Sequence, residues 1–306
     1  NIFTLGVAYQ SGLLPLEAES IEAAIRLNGL QVEQNLRAFR YGRLHVAQPE
    51  RVREITDSPR RGFEEEVAVA RSRLSPKEAE AYDTLLNRCA NLDGEARRMV
   101  AIRIAELIEY QNRKYAAAYV DYVLKVAGHE RARTQGSHEL THAVIRYLYK
   151  LMAYKDEYEV ARLHLKPTFH EQARTLFTEP VRLTYHLHPP LLRALGLKRK
   201  LAFGPWFTPV LRSFYALRWL RRTPLDIFGY AKVRREERQL ITWYKRLVDT
   251  ALGYLAPQTH SRIVEIAQLP DEIRGYERIK LNNLRTVKEK AEKLLASLST
   301  QVAASP

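Results

Sequence analysis

The sequence predicts a mainly α protein with a small β part, α+β overall. Three observations carry this. Apolar side chains recur at three- and four-residue steps through most of the 306 residues, the spacing of a buried helix face. Strict alternation is confined to residues 157–188, where it suggests a small antiparallel strand pair. Turn and breaker residues with little apolar content gather in 49–62 (Pro49, Asp57-Ser58-Pro59-Arg60-Arg61-Gly62). They divide the chain into residues 1–48, a linker at 49–62 and a helix-rich domain at 63–300.

Residues 1–48 read as three helices. Ile2, Leu5 and Tyr9 share a face of the first. Ile21, Ala24 and Ile25 mark the second, stopped by Gly29 as a C-cap, and Val32, Leu36 and Phe39 mark the third. Residues 63–153 read as helical throughout. Ser75-Pro76-Lys77-Glu78 is a capping box with proline at the first helical position, and the helix it opens carries Tyr82, Leu85, Leu86 and Cys89. A longer helix runs from about Gly94 to Ala127 with a kink near Gln111-Asn112. Its Tyr115, Tyr119, Tyr122 and Val126 form a core stripe.

Val144, Leu148, Leu151 and Met152 give the next helix its buried face. After the charged joint Lys155-Asp156-Glu157, alternation of Tyr158, Val160 and Leu163 predicts a strand, so the joint reads as a helix-to-strand seam. Thr168–Phe177 reads as a short helix or loop. Val181, Leu183, Tyr185 and Leu187 alternate again until Pro189-Pro190. Helices return over 231–300, with Leu240, Trp243, Tyr244, Leu247 and Val248 buried and Arg234, Arg235, Glu236, Glu237 and Arg238 solvated. The last runs from Ile279 to Leu298.

The net charge of +14 points to an acidic partner of some kind. No apolar run approaches the ~20 residues of a membrane helix. Cys89 is the single cysteine, which excludes a disulfide framework and a four-cysteine iron–sulfur site within these residues and fits a cytoplasmic protein. The chain begins at Asn1, and Met99 and Met152 are its only methionines, so it is expected to be a piece of a longer polypeptide.

Residues 180–225 hold nine Arg or Lys and no Asp or Glu, interleaved with Phe203, Trp206, Phe207, Phe214, Tyr215 and Trp219. Such a mixture suits docking to another domain or subunit, an acidic protein, single-stranded nucleic acid or an anionic membrane. Docking is the expectation, without nucleic acid or membrane. The aromatic residues at helical spacing are expected mostly in the core.

His138-Glu139-Leu140-Thr141-His142 matches the zinc-hydrolase pattern. Two histidines four apart on a helix face one metal, and the glutamate can activate the bound water as general base. A third ligand could come from Glu157 or Glu159. Against this, Leu140, Val144 and Leu148 give the helix an ordinary buried face, and a coincidental pair of solvent-facing histidines is the expectation. No catalytic, cofactor-binding or metal residue is assigned.

Four runs share a resemblance: Met152-Ala-Tyr-Lys-Asp-Glu-Tyr-Glu-Val-Ala-Arg-Leu163, Phe203-Gly-Pro-Trp206, Thr223-Pro-Leu-Asp-Ile-Phe-Gly-Tyr230 and Leu269-Pro-Asp-Glu-Ile-Arg-Gly275. In this order they resemble the C-terminal region of the large fused indolepyruvate ferredoxin oxidoreductase family. Residues 1–48 resemble the end of the gamma-type domain of 2-oxoacid:ferredoxin oxidoreductases, an α/β domain whose sheet would lie upstream and cover a face of these helices. At Tyr276-Glu-Arg278 the match departs from the family's glycine-containing turn.

The resemblance implies oxidative decarboxylation of arylpyruvates or related 2-oxoacids to acyl-CoA. It implies thiamine diphosphate with Mg, iron–sulfur clusters, ferredoxin as acceptor, coenzyme A as acyl acceptor and a homo-oligomer. A thiamine site of this class would show Gly-Asp-Gly followed by paired asparagines. Asp93-Gly94 lacks the first glycine and Asn282-Asn283 is far away. The cofactors are therefore expected outside these residues, and the segment is expected to scaffold or dock.

Overall fold

Helix spacing in the sequence translates directly into helices packed by their apolar faces. The computed structural model describes residues 1–56, 61–134, 136–167, 184–187, 201–274 and 277–303, and they form a mainly α fold. The chain divides into two units, Asn1–Gly62 and Phe63–Pro306.

The first unit consists of α1 (Ile2–Gln10), α2 (Ala18–Asn28), α3 (Val32–Ala47) and α4 (Pro49–Thr56). α1 and α3 meet backbone to backbone. A Cβ on Gly6 would strike the Phe39 carbonyl, and one on Gly42 the Phe3 carbonyl. Ile21, Ile25, Leu36 and Phe39 form a small core. Gly29 ends α2 at φ +71°, the left-handed cap that its sequence position indicated. Within the expected linker, residues 49–56 are helical. Pro49 suits a first helical position, and Val52 gives the helix a buried contact.

The second unit begins with α5 (Phe63–Ser72) and α6 (Pro76–Arg88), the latter closed by its Ser75–Glu78 capping box. α7 (Gly94–Tyr110) and α8 (Arg113–Arg133) replace the single kinked helix. The chain breaks at Gln111-Asn112, where the Asn112 side chain accepts from Tyr115 N at 2.9 Å and starts a new helix. α9 (Glu139–Met152), α12 (Lys232–Leu252) and α13 (His260–Gln268) complete the main core, with α14 (Glu277–Ala303) against it.

Buried tyrosines tie these helices together. The hydroxyls of Tyr115, Tyr119 and Tyr244 donate to Met152 O (2.9 Å), Ile145 O (2.8 Å) and Ala267 O (2.8 Å). Each of these three rings fills core volume while its hydroxyl meets a backbone acceptor.

The expected strand at 157–165 is a helix, α10 (Glu157–Leu165). Its buried side chains are Tyr158, Glu159, Ala161 and Arg162, a helical period that the alternating apolar letters concealed. The joint is thus helix to helix. Of the second expected strand, residues 184–187 lie within the described structure. β1 (Tyr185–Leu187) pairs antiparallel with β2 (Leu201–Phe203), in the register Tyr185–Phe203 and Leu187–Leu201. The partner therefore comes from downstream rather than from 157–165. Thr168–Phe177, Val181, Leu183 and Pro189-Pro190 lie outside the described residues. α10, the strand pair and α11 (Thr208–Ala216) share a small core of Ala161, Tyr185 and Leu211, flanked by Phe203, Phe207 and Phe214.

Candidate functional site

The charged joint between α9 and α10 is where the first and third resemblance runs meet. Asp156 is 3% exposed. Its Oδ1 caps α10 by accepting from Glu159 N at 2.8 Å. The same carboxylate takes a two-pronged contact from Arg221, Nε to Oδ2 at 2.6 Å and Nη2 to Oδ1 at 2.7 Å. Arg221 Nη1 also donates to Tyr110 O, and the guanidinium lies 3.8 Å over the Tyr110 ring. Every face of this buried cation is met, as its desolvation requires.

Three further clusters surround this pair. Arg162 grips Glu159 with Nε and Nη2, both at 2.8 Å, and reaches Glu109 at 3.0 Å. Arg234 bridges Glu157 (3.1 Å) and Glu237 (2.8 Å). Burial pushes the Glu157 carboxyl up against the opposing pull of Arg234, and its Oε2 has no hydrogen-bond partner among the described residues. Asp226, 5% exposed, accepts from Gly229 N (3.0 Å), Arg222 N (3.2 Å) and Tyr158 Oη (3.4 Å), with Arg238 at 3.6 Å. Asp156, Glu157, Tyr158, Glu159 and Arg162 come from the first resemblance run and Asp226 and Gly229 from the third. Lys150 Nζ donates to the carbonyl of Pro270, in the fourth, at 2.8 Å.

The outer side of this region is apolar. Around the Asp226 hub, Leu225, Ile227 and Tyr230 are 57–67% exposed, and Trp206 and Trp219 are 68% and 60% exposed. The expectation that the aromatics here are mostly core is therefore only half met. Leu211 is buried and Phe214 and Tyr215 are half-buried, but Leu217 and Trp219 face solvent.

The zinc-type residues are placed differently from a metal site. His138 is the residue before α9 rather than part of it, and Glu139 is exposed. His142 Nε2 lies 3.0 Å from both Asp93 carboxylate oxygens, and His138 Nδ1 lies 3.9 Å from Oδ2. Asp93 caps α7 through Glu95 N and Ala96 N, so the histidines back a helix cap. Burial raises the Asp93 pKa, but the Ala96 N–H and His142 outweigh it and leave it lowered. Glu157 and Glu159, the candidate third ligands, are held by Arg234 and Arg162. Among the described residues, no group of three or more His, Cys, Asp or Glu side chains could hold a metal ion.

A second carboxylate does the same work deeper inside. Glu130 of α8, 1% exposed, accepts from Leu140 N (2.9 Å), Thr141 N (2.8 Å) and His260 Nε2 (2.7 Å). Sequence reasoning missed Asp93, Glu130, Asp226 and His260. The available signals were an N-cap position for Asp93 and Asp226 and, for Glu130, a carboxylate on an otherwise apolar helix face.

Cys89, the chain's one cysteine, is buried, with Sγ donating to Leu85 O at 3.4 Å. Burial pushes its thiol up to about 11, the opposite of a metal-binding thiolate. Asp93, set against the thiamine motif above, is the α7 cap. The arrangement builds a polar hub of paired charges with an apolar outer surface.

A helix-rich unit knotted around a buried charge hub is the class of protein that fold and site define. The chain belongs to the family of unknown function DUF6537, which it matches over residues 96–293. That match runs from α7 into α14 and includes both the α9–α10 joint and the Asp226 hub. No curated protein and no solved structure matches the chain. No described helix is long and apolar enough to cross a membrane.

Proposed function

We propose that this chain is a scaffolding and docking region of a thiamine-diphosphate-dependent 2-oxoacid ferredoxin oxidoreductase of the indolepyruvate type. The enzyme decarboxylates arylpyruvates or related 2-oxoacids oxidatively to acyl-CoA and passes electrons through iron–sulfur clusters to ferredoxin. Thiamine diphosphate supplies the carbanion stabilisation, from a site in the remainder of the polypeptide.

The observation that carries this reading is the ordered set of four sequence runs. The meeting of the first and third runs at one buried hub supports it, because a shared structural task explains why separated runs keep recognisable sequences together. The surface of the first unit supports it too. Leu27 of α2 is 90% exposed, and Leu13, Leu16 and Leu30 of the connecting segments are 57–72% exposed, apolar surface that a covering sheet would bury. Cytoplasmic location and assembly as a homo-oligomer belong to the same proposal.

The test is turnover. The 306-residue chain produced alone should not reduce a viologen dye with indolepyruvate and coenzyme A. Turnover by this chain would place the chemistry inside it and overturn the docking role.

A further inference from the structure

The loop 222–230 is built as a fixed platform. Arg222 sits at φ +66°, a conformation that costs a non-glycine residue energy, and it is held there by its N–H on Asp226. A Cβ on Gly229 would collide with the Asp226 carboxylate and the Arg238 guanidinium, so the close wrap around the hub requires glycine. Arg238 donates to Gly229 O, and Tyr230 Oη donates to Pro224 O at 2.8 Å. Inside is a satisfied buried carboxylate. Outside, Leu225, Ile227 and Tyr230 are directed into solvent at 67%, 57% and 65% exposure. A loop held this firmly loses little entropy when something binds to it.

The exposed charges beside it are mostly positive. Over residues 222–235 the exposed cations Arg222, Lys232 and Arg235 make no ion pair among the described residues, while Asp226 is buried in its hub. With +14 on the whole chain, a second copy approaching through the same face would meet like charge. Aliphatic Leu225 and Ile227 give no stacking platform for bases. A fixed turn is also unlike the amphipathic helix that lies in a membrane interface.

We propose that this loop is the apolar centre of a docking site for an acidic protein surface, with Arg222, Lys232 and Arg235 as its cationic rim. The inference rests on the docking reading above, and its test separates the two. A photo-crosslinking amino acid is placed at Ile227 in the full-length protein in its native cells, and the adduct is identified by mass spectrometry. The identified partner is then purified and its binding measured.

The expected result is one acidic protein whose affinity falls about tenfold or more when Leu225 and Ile227 are both changed to Ser. Its affinity should also fall with rising salt and with Arg222, Lys232 and Arg235 made neutral. Unchanged folding of the double variant, checked by its thermal transition, assigns the loss to the surface. Adducts only with another segment of the same polypeptide, with a second copy, with lipid or with nucleic acid would overturn the inference, as would no adduct at all. An adduct confined to the same polypeptide leaves the scaffolding role standing. Absence of thiamine diphosphate from the native protein contradicts that role without touching the loop.

Discussion

Arg221 and Leu225 stand four residues apart in places their chemistry would seem to exchange. The arginine is 3% exposed and the leucine 67%. In α9 the order is ordinary. Leu148 is fully buried and Arg146 faces solvent. The main core of α7–α9, α12 and α13 is thus held by apolar burial with tyrosine hydroxyls satisfied on backbone carbonyls. The hub of Asp156, Arg221 and Asp226 is held by paired charges, with Leu225, Ile227 and Tyr230 beside it turned out. The contrast teaches that the two regions have different tasks. The first supplies stability, whereas the second spends charge on fixing a surface in one shape.

The largest effect expected from breaking this comparison is at the hub. Arg221→Ala leaves Asp156 buried without its cation and should cost about 3–5 kcal/mol, read from the urea midpoint. In the core, Leu148→Ala should cost about 2–5 kcal/mol through the cavity it leaves. The two differ in character. Arg221→Ala should loosen the 222–230 loop toward hydrogen exchange, while Leu148→Ala should leave that loop protected.

A smaller effect concerns pH. The Asp93 pKa is lowered in the folded chain, so the unfolded chain takes up its proton first on acidification. The stability it contributes is complete above its unfolded value near about 4 and is lost as pH falls through the lower folded value. Asp93→Asn should therefore flatten the acid side of the stability–pH curve, measured by thermal transitions across that range. The smallest effect is outside. Ile227→Ser should change stability by no more than about 0.5 kcal/mol, because the side chain is already in water. A larger loss would mean that the loop's apolar side chains support the fold.

The mainly α character was legible because helix periods of Leu, Tyr and Val fill most of 63–153 and 231–300. The capping box at Ser75–Glu78 and the glycine cap at Gly29 were legible for the same local reason. α10 was misread because Tyr158, Val160 and Leu163 alternate, while its helical face is completed by Glu159 and Arg162, charged residues three apart that pair once the segment is helical. Asp156 followed by Glu159 was the better signal, an N-cap with an acidic residue three positions on. The break at Asn112 was placed correctly but taken for a kink, since only the geometry reveals that its side chain caps a new helix. The hub itself was hidden: Asp156 and Arg221 are 65 residues apart, and a pattern of local charge does not state which carboxylate an arginine will reach. The exposed Trp219 and Ile227 were equally hidden, because an apolar side chain turned outward has the same letter as one turned in.

The central claim is that this unit serves a larger thiamine-diphosphate enzyme. The direct measurement is the intact mass of the native protein, isolated with an antibody to this segment, together with its bound thiamine diphosphate, iron and zinc. The expected result is a polypeptide several times 35.5 kDa carrying thiamine diphosphate and iron. A native chain near 35.5 kDa with neither would contradict the account.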